Sequence, residues 1–198
     1  SWGGPESGGR PPLRAWSTTP VGGVTLAERF PEPRGADDAA RAAWYAGMRE
    51  YAASLLSAPK GAKRMRSLFD AGRAHMVGTS GTVTSVAGVH LNLPRYDRSR
   101  VDGLWISAQE ARAACDRLSS KDIEGRAGEP CIGHERADLV LAGCAILEAV
   151  MDAWPTERMR VGDRGLREGL LLGLMRPKRR RPRRGRRAGA RKSGEAQA

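Results

Sequence analysis

In RAHMVGTSGTVTSVAGVHL, residues 73–91, a short apolar run ends in two glycines that bracket two hydroxyl residues, and an apolar helical pattern follows. Arg73 to Val77 reads as a short buried strand, Gly78, Thr79, Ser80, Gly81 and Thr82 as the turn, and Val83 to Leu91 as the helix. A strand running through a tight turn into a helix is the repeating unit of α/β folds. Glycines in such a turn let backbone N–H groups approach an anion closely, and the helix N-terminus adds a favourable dipole. The same five residues also suit a plain strand-to-helix turn. No Lys or third glycine follows, so they form neither a Walker A loop nor a dinucleotide fingerprint.

Upstream, Leu13 to Val24 reads as a strand leaving a loop, and TLAERF (Thr25 to Phe30) as a short helical turn stopped by Pro31 and Pro33. Asp37 and Asp38 open a long helix to about Ser57, with Trp44, Met48, Tyr51 and Leu55 on one face. Downstream, Tyr96 to Asp102 reads as a charged loop and Leu104 to Ile106 as a strand. Ser107 then caps a helix to about Leu118, with Glu110 completing a capping box. Ser119 to Pro130 reads as flexible. Arg136 to Trp154 is apolar almost all round, which predicts a central helix with Ala142 and Ile146 inaccessible. Met159 to Val161 predicts a strand, Gly162 to Gly165 a turn, and Leu166 to Met175 a last helix. The alternation predicts an α/β fold without internal repeats.

The 198 residues are 40% hydrophobic, enough for one domain with a real core. Charge is concentrated at one end. Pro177 to Ala198 holds ten Lys/Arg against Glu195 alone, which is +9 of the formal +12. Without aromatic or large aliphatic residues this segment cannot offset its chain entropy, so a disordered tail is expected. The run Arg176 to Arg187, including Arg179, Arg180, Arg181, Arg183, Arg184, Arg186 and Arg187, attracts any polyanion by counterion release, and nucleic acid is one candidate partner. Residues 1–12 are Gly/Pro-rich and read as a loop or linker, and a chain opening with Ser1 reads as beginning mid-protein or as mis-started.

Cys115, Cys131 and Cys144 lack the spacing of a zinc site and read as reduced thiols of a cytoplasmic protein. No apolar run approaches the ~20 residues of a membrane span. His75, His90 and His134 are too scattered for a metal site. The five tryptophans do not interleave with basic residues along the chain, so they read as core and hairpin anchors.

Four blocks occur in order: PVGGVTLAERF (Pro20 to Phe30), GTSGTVTSVAGVHLNLPRYDRSRVDG (Gly78 to Gly103), RADLVLAGCAILEAVMDAW (Arg136 to Trp154) and RMRVGDRGLREGLLLGLM (Arg158 to Met175). They closely resemble the second lobe of the exopolyphosphatase/guanosine pentaphosphate phosphatase (Ppx/GppA) family, and alphaproteobacterial members in particular. The likeness covers about residues 15–176. It implies one lobe of the two-lobed actin, Hsp70 and sugar-kinase fold (ribonuclease H-like), here over residues 13–176, with the basic tail at 177–198. It also implies phosphates bound between lobes, Mg²⁺ as cofactor, and a hydrolase that removes the terminal phosphate of inorganic polyphosphate or guanosine pentaphosphate.

By that resemblance Gly78, Thr79, Ser80, Gly81 and Thr82 are the cleft-facing turn, and Arg136 stands close to a phosphate-contacting position. Arg136 suits equally a surface ion pair with Glu135 or Asp138. Arg167 and Glu168 match the family and also suit a structural ion pair. Arg95, Arg98 and Arg100 suit a solvated loop, a substrate contact or a homodimer contact. The family's catalytic carboxylate, its first phosphate loop and a D-x-G-G-G-S-type turn have no counterpart in these residues. Neither a catalytic residue nor a metal ligand is therefore expected in this chain, and by itself it is expected to be inactive. The alternative is a non-catalytic module that binds RNA or polyphosphate.

Overall fold

The structure is a computed structural model that describes residues 2–3, 13–15, 17–56 and 62–175. The expectation for the basic tail lies outside these residues. Of the Gly/Pro-rich start the structure describes only Trp2–Gly3, which form a strand where a loop or linker was expected. Two compact units divide the chain, Ser1–Gly165 and Leu166–Ala198.

In the first unit, β1 (Trp2–Gly3) and β2 (Leu13–Ala15) pair as an antiparallel hairpin, so the expected strand over 13–24 is confined to its first residues. The backbone then enters α1 (Gly23–Arg29), where Thr25 exchanges hydrogen bonds with the backbone of Gly22 at 3.0 and 3.1 Å. Asp37 caps α2 (Asp38–Leu55) by accepting from the Ala40 amide at 2.8 Å, which is the expected helix start. Its buried residues are Tyr45, Met48 and Ala52, and Trp44 and Tyr51 pack at the margin of the core. A further helix, α3 (Ala62–Asp70), was not expected: its run is rich in Lys and Arg and poor in apolar residues overall, which hides a helical apolar period.

A three-stranded sheet follows. The strand β3 (Met76–Gly78) runs parallel to β5 (Arg158–Val161), and β4 (Trp105–Ser107) pairs antiparallel with the other edge of β5. The register aligns Met76 with Met159 and Gly78 with Val161. Met159 and Val161 face the core while Arg158 and Arg160 face outward, the alternation of a half-covered sheet. Between these strands lie α4 (Gly81–His90), the single turn α5 (Arg98–Val101), α6 (Ala108–Ser119), α7 (Ile123–Ala127) and α8 (Val140–Ala153). The capping box at the start of α6 forms as the sequence predicts: Ser107 Oγ accepts from the Glu110 amide at 3.1 Å and Glu110 accepts from the Ser107 amide at 2.8 Å.

The central helix is α8, which packs on α1, α2, α4 and α6. It begins at Val140, and Arg136 to Leu139 form turns that lead into it. Ala142 is buried as expected, whereas Ile146 is half-buried. Two parts of the chain read as loops are ordered by single turns of helix. Asp97 caps α5 and Asp122 caps α7, each accepting from an amide two or three residues on. In α7 the Arg126 side chain is fully buried. It donates to the carbonyls of Ala137 at 2.8 Å and Lys121 at 2.6 Å, and to the Glu32 carboxylate. A buried charge must be paired and fully hydrogen-bonded, and here it is. The 119–130 segment reads as flexible because its composition is polar, which conceals this internal anchor.

The second unit carries α9 (Leu166–Leu174), the expected last helix.

Candidate anion cradle

The turn Gly78 to Thr82 joins β3 to α4. Gly78 is glycine for a packing reason: a Cβ there would meet Val83 at 2.8 Å and Met159 at 3.0 Å. The Gly162 amide donates to the Gly78 carbonyl at 2.8 Å, so the turn after β5 lies against the turn after β3. Ser80 is the N-cap of α4, its hydroxyl oxygen accepting from the Val83 amide at 3.2 Å. That bond leaves the Ser80 O–H free to donate. Any helix start leaves its first amides without intrahelical partners, so Gly81 and Thr82 present N–H groups there. Thr79, Ser80 and Gly81 are exposed.

Thr82 differs from its neighbours in the turn. It is half-buried and packs against Gly143 of α8, where a Cβ would stand 2.0 Å from the Thr82 hydroxyl oxygen. Its side chain is a packing group, and only its backbone remains available to a ligand.

Arg136 reaches this turn from the segment before α8. Its guanidinium lies 3.6 Å from where a Cβ on Gly81 would be, and donates to Ser85 Oγ at 3.3 Å. Neither Glu135 nor Asp138 pairs with it among the described residues. The structure therefore brings Arg136 beside the Gly78 to Thr82 turn, the residues that the sequence reading grouped. The sequence did not single out the loop that completes the wall, Gly162 to Arg164.

That loop is tied to the Arg95 to Gly103 segment. Arg98 Nε lies 3.0 Å from Asp163 Oδ2, the Asp163 amide donates to Asp102 Oδ1 at 2.9 Å, and Arg164 Nε lies 3.6 Å from Asp102 Oδ2. The Asp163 amide first, and then Arg164, hold the Asp102 carboxyl below the usual range. The Tyr96 phenol is pushed up by its partial burial and then by bonding to Asp163. Arg98 is thus a tie between two loops. Both aspartates are paired to arginines, and Arg136 stands beside the turn with no carboxylate partner among the described residues.

Among the described residues no group of three or more His, Cys, Asp or Glu is placed to hold a metal ion. The residues described do not by themselves fit a magnesium site. No helix among them is long and apolar enough to cross a membrane.

The tryptophans need one correction. Trp105 on β4 is 37% exposed, and the guanidiniums of Arg158 and Arg160 lie 4.5 and 5.6 Å from its ring centroids. The residues are far apart in sequence and interleave only once β4 pairs with β5.

Comparison with known proteins bears on the family and the fold. Residues 9–178 match the model of the Ppx/GppA phosphatase family. Over 99 residues the chain is 33% identical to the guanosine-5'-triphosphate,3'-diphosphate pyrophosphatase of Aeromonas salmonicida, an alignment covering 50% of this chain and 18% of that protein. The Aeromonas hydrophila enzyme of the same name gives 32% over 99 residues, again 18% of its length. The fold matches the Aquifex aeolicus Ppx/GppA phosphatase with a TM-score of 0.60 at 22% identity, covering 79% of this chain and 48% of that one. It matches an exopolyphosphatase from Cytophaga hutchinsonii with a TM-score of 0.59 at 18% identity, covering 78% and 47%. The chain thus spans about half the length of these solved relatives. The fold is the actin-like α/β fold of that family, with coverage that fits its C-terminal lobe, and the chain belongs to the Ppx/GppA phosphatase family.

Proposed function

We propose that this chain supplies the phosphate-holding wall of a phosphohydrolase that removes the terminal phosphate of inorganic polyphosphate or guanosine pentaphosphate. One observation carries the reading: the Arg136 guanidinium, with no carboxylate partner among the described residues, lies beside Gly81 at the start of α4. Phosphate oxygens there would accept from the Gly81 and Thr82 amides, the Thr79 and Ser80 hydroxyls, and Arg136. Donors fixed before the substrate arrives stabilise developing negative charge without reorganisation. Among the described residues the carboxylates at this wall, Asp163 and Asp102, are paired to arginines, so the base that activates water belongs outside it. The magnesium ion expected for the family would neutralise phosphate charge, and its ligands too would lie outside the cradle.

A second reading, a polyanion-binding module without catalysis, rests on the +9 carried by residues 177–198. Phosphate release from polyphosphate and from guanosine pentaphosphate separates the two, measured in a protein that joins this lobe to the family's first lobe. Turnover is expected there, and Arg136→Ala is expected to lower it about a hundredfold or more. Turnover untouched by Arg136→Ala would reject the cradle, and no turnover at all would favour the binding module.

A further inference from the structure

We propose that the open face of the β3–β5–β4 sheet around Trp105, with the cleft beside it, binds a nucleotide. The place is distinct from the anion cradle. Because β3 and β5 are parallel, their last residues both lie at the cradle, at Gly78 and Val161. The cleft lies at their other end, a space of about 650 Å³ lined by Arg73, His75, Thr156, Glu157 and Arg158 among others. That volume is within the usual range for small-molecule sites.

Two of the lining residues also touch Trp105. The His75 ring meets it edge-on at 5.0 Å, and Arg158 lies over it at 4.5 Å. The aromatic platform and the cleft therefore share a rim. Arg158 and Arg160 sit two residues apart on one face of β5, both exposed, and neither is ion-paired among the described residues. The same holds for Arg73. Like charges side by side without counter-ions repel, and an anionic ligand would relieve that repulsion. Glu157 and Asp70 are the opposing charges on the wall, and Asp70 is paired with Arg66 at 3.6 Å. A cation-flanked indole on an open sheet face is the arrangement that stacks a base while neighbouring guanidiniums take its phosphates. One ring accepts one base, so the ligand is a single nucleotide and not a run of them.

The test uses the 198-residue chain, with ATP and inorganic tripolyphosphate titrated at one ionic strength. The basic tail attracts both through their phosphates, so the difference between them isolates the base. ATP is expected to bind at least tenfold more tightly than tripolyphosphate and to shift the Trp105 indole N–H resonance. Trp105→Leu is expected to erase the preference, Trp105→Phe to keep most of it, and Arg158→Gln with Arg160→Gln to weaken both ligands. Equal binding of ATP and tripolyphosphate, or an unmoved Trp105 resonance in the unaltered chain, would overturn the proposal, and the resonance needs no variant to fold.

Discussion

The Thr82 side chain lies in the notch that Gly143 leaves on α8, its hydroxyl oxygen 2.0 Å from where a Cβ would stand. The contact pins the first turn of α4, and with it the cradle, to the central helix. Gly143→Ala is therefore expected to destabilise the fold by about 1–3 kcal/mol through overpacking. Thr82→Gly in the same background is expected to recover part of that loss, since it vacates the space. Urea midpoints of the two single variants and the double variant measure the coupling. Additive effects would mean that α4 and α8 separate without strain.

The sequence made this helix pair legible but hid the reason for the fit. Apolar runs at 83–91 and 136–154 announce two buried helices, and Asp37 and Ser107 mark helix starts, whereas Ser80, read as part of the turn, is the cap that starts α4 at Gly81. A glycine in the middle of an apolar helix says only that something approaches closely, not what does. Arg126 and Glu148 are charged, so composition assigns them to the surface, yet both are buried. The cradle was legible in Gly78 to Thr82 because a strand, two glycines and a helix are contiguous. The Trp105 face was not, since it is assembled by strand pairing between residues more than fifty positions apart.

Glu148, 2% exposed in the middle of α8, accepts from the Tyr45 hydroxyl at 2.6 Å and stands 3.5 and 3.6 Å from Arg49 and Arg112. Both arginines also reach Asp152 on the surface, at 3.1 and 2.7 Å. Removing the buried member leaves the guanidiniums half-compensated, and Glu148→Gln is expected to lower stability by about 3 kcal/mol. Asp152→Asn, at an exposed position, is expected to change it by under about 1 kcal/mol. Equal effects in denaturation would place the energy of this network at the surface.

Alkaline pH gives an independent reading of the same core. The hydrogen bond with Cys144 and then burial push the Cys115 thiol up, burial pushes the Cys131 thiol up, and burial, followed by the neighbouring Cys144, Cys115 and Glu148, pushes the Tyr45 phenol up. The unfolded chain releases these protons near pH 8.5 for the thiols and pH 10 for the phenol, while the folded chain releases each at a higher pH. Their contribution to stability is thus complete below about pH 8.5 and declines as pH rises, by about 1.4 kcal/mol per pH unit for each group past its unfolded pKa. Urea unfolding at pH 7.5, 9 and 10.5 is expected to show that decline, and Tyr45→Phe is expected to flatten it only above pH 10. Stability that holds level to pH 10.5 would show that these protons are not retained on folding.

The basic tail makes its own prediction, drawn from its charge. Each phosphate contact made by Lys or Arg releases counterions, so the logarithm of affinity for a single strand falls with the logarithm of salt by about 0.7 per contact. Ten Lys/Arg lie in residues 177–198, whereas residues 1–176 carry a formal net charge of only +3. Deleting 177–198 is expected to weaken binding to single-stranded RNA and to long polyphosphate alike, and to flatten the salt dependence of both. Arg136→Ala in the undeleted chain is expected to reduce the slope on polyphosphate by less than one, because it removes a single contact. Titrations from 50 to 300 mM salt compare the three proteins. If the deletion leaves the slope as it was, polyanions are held by the folded lobe, and the charge of the tail serves something else.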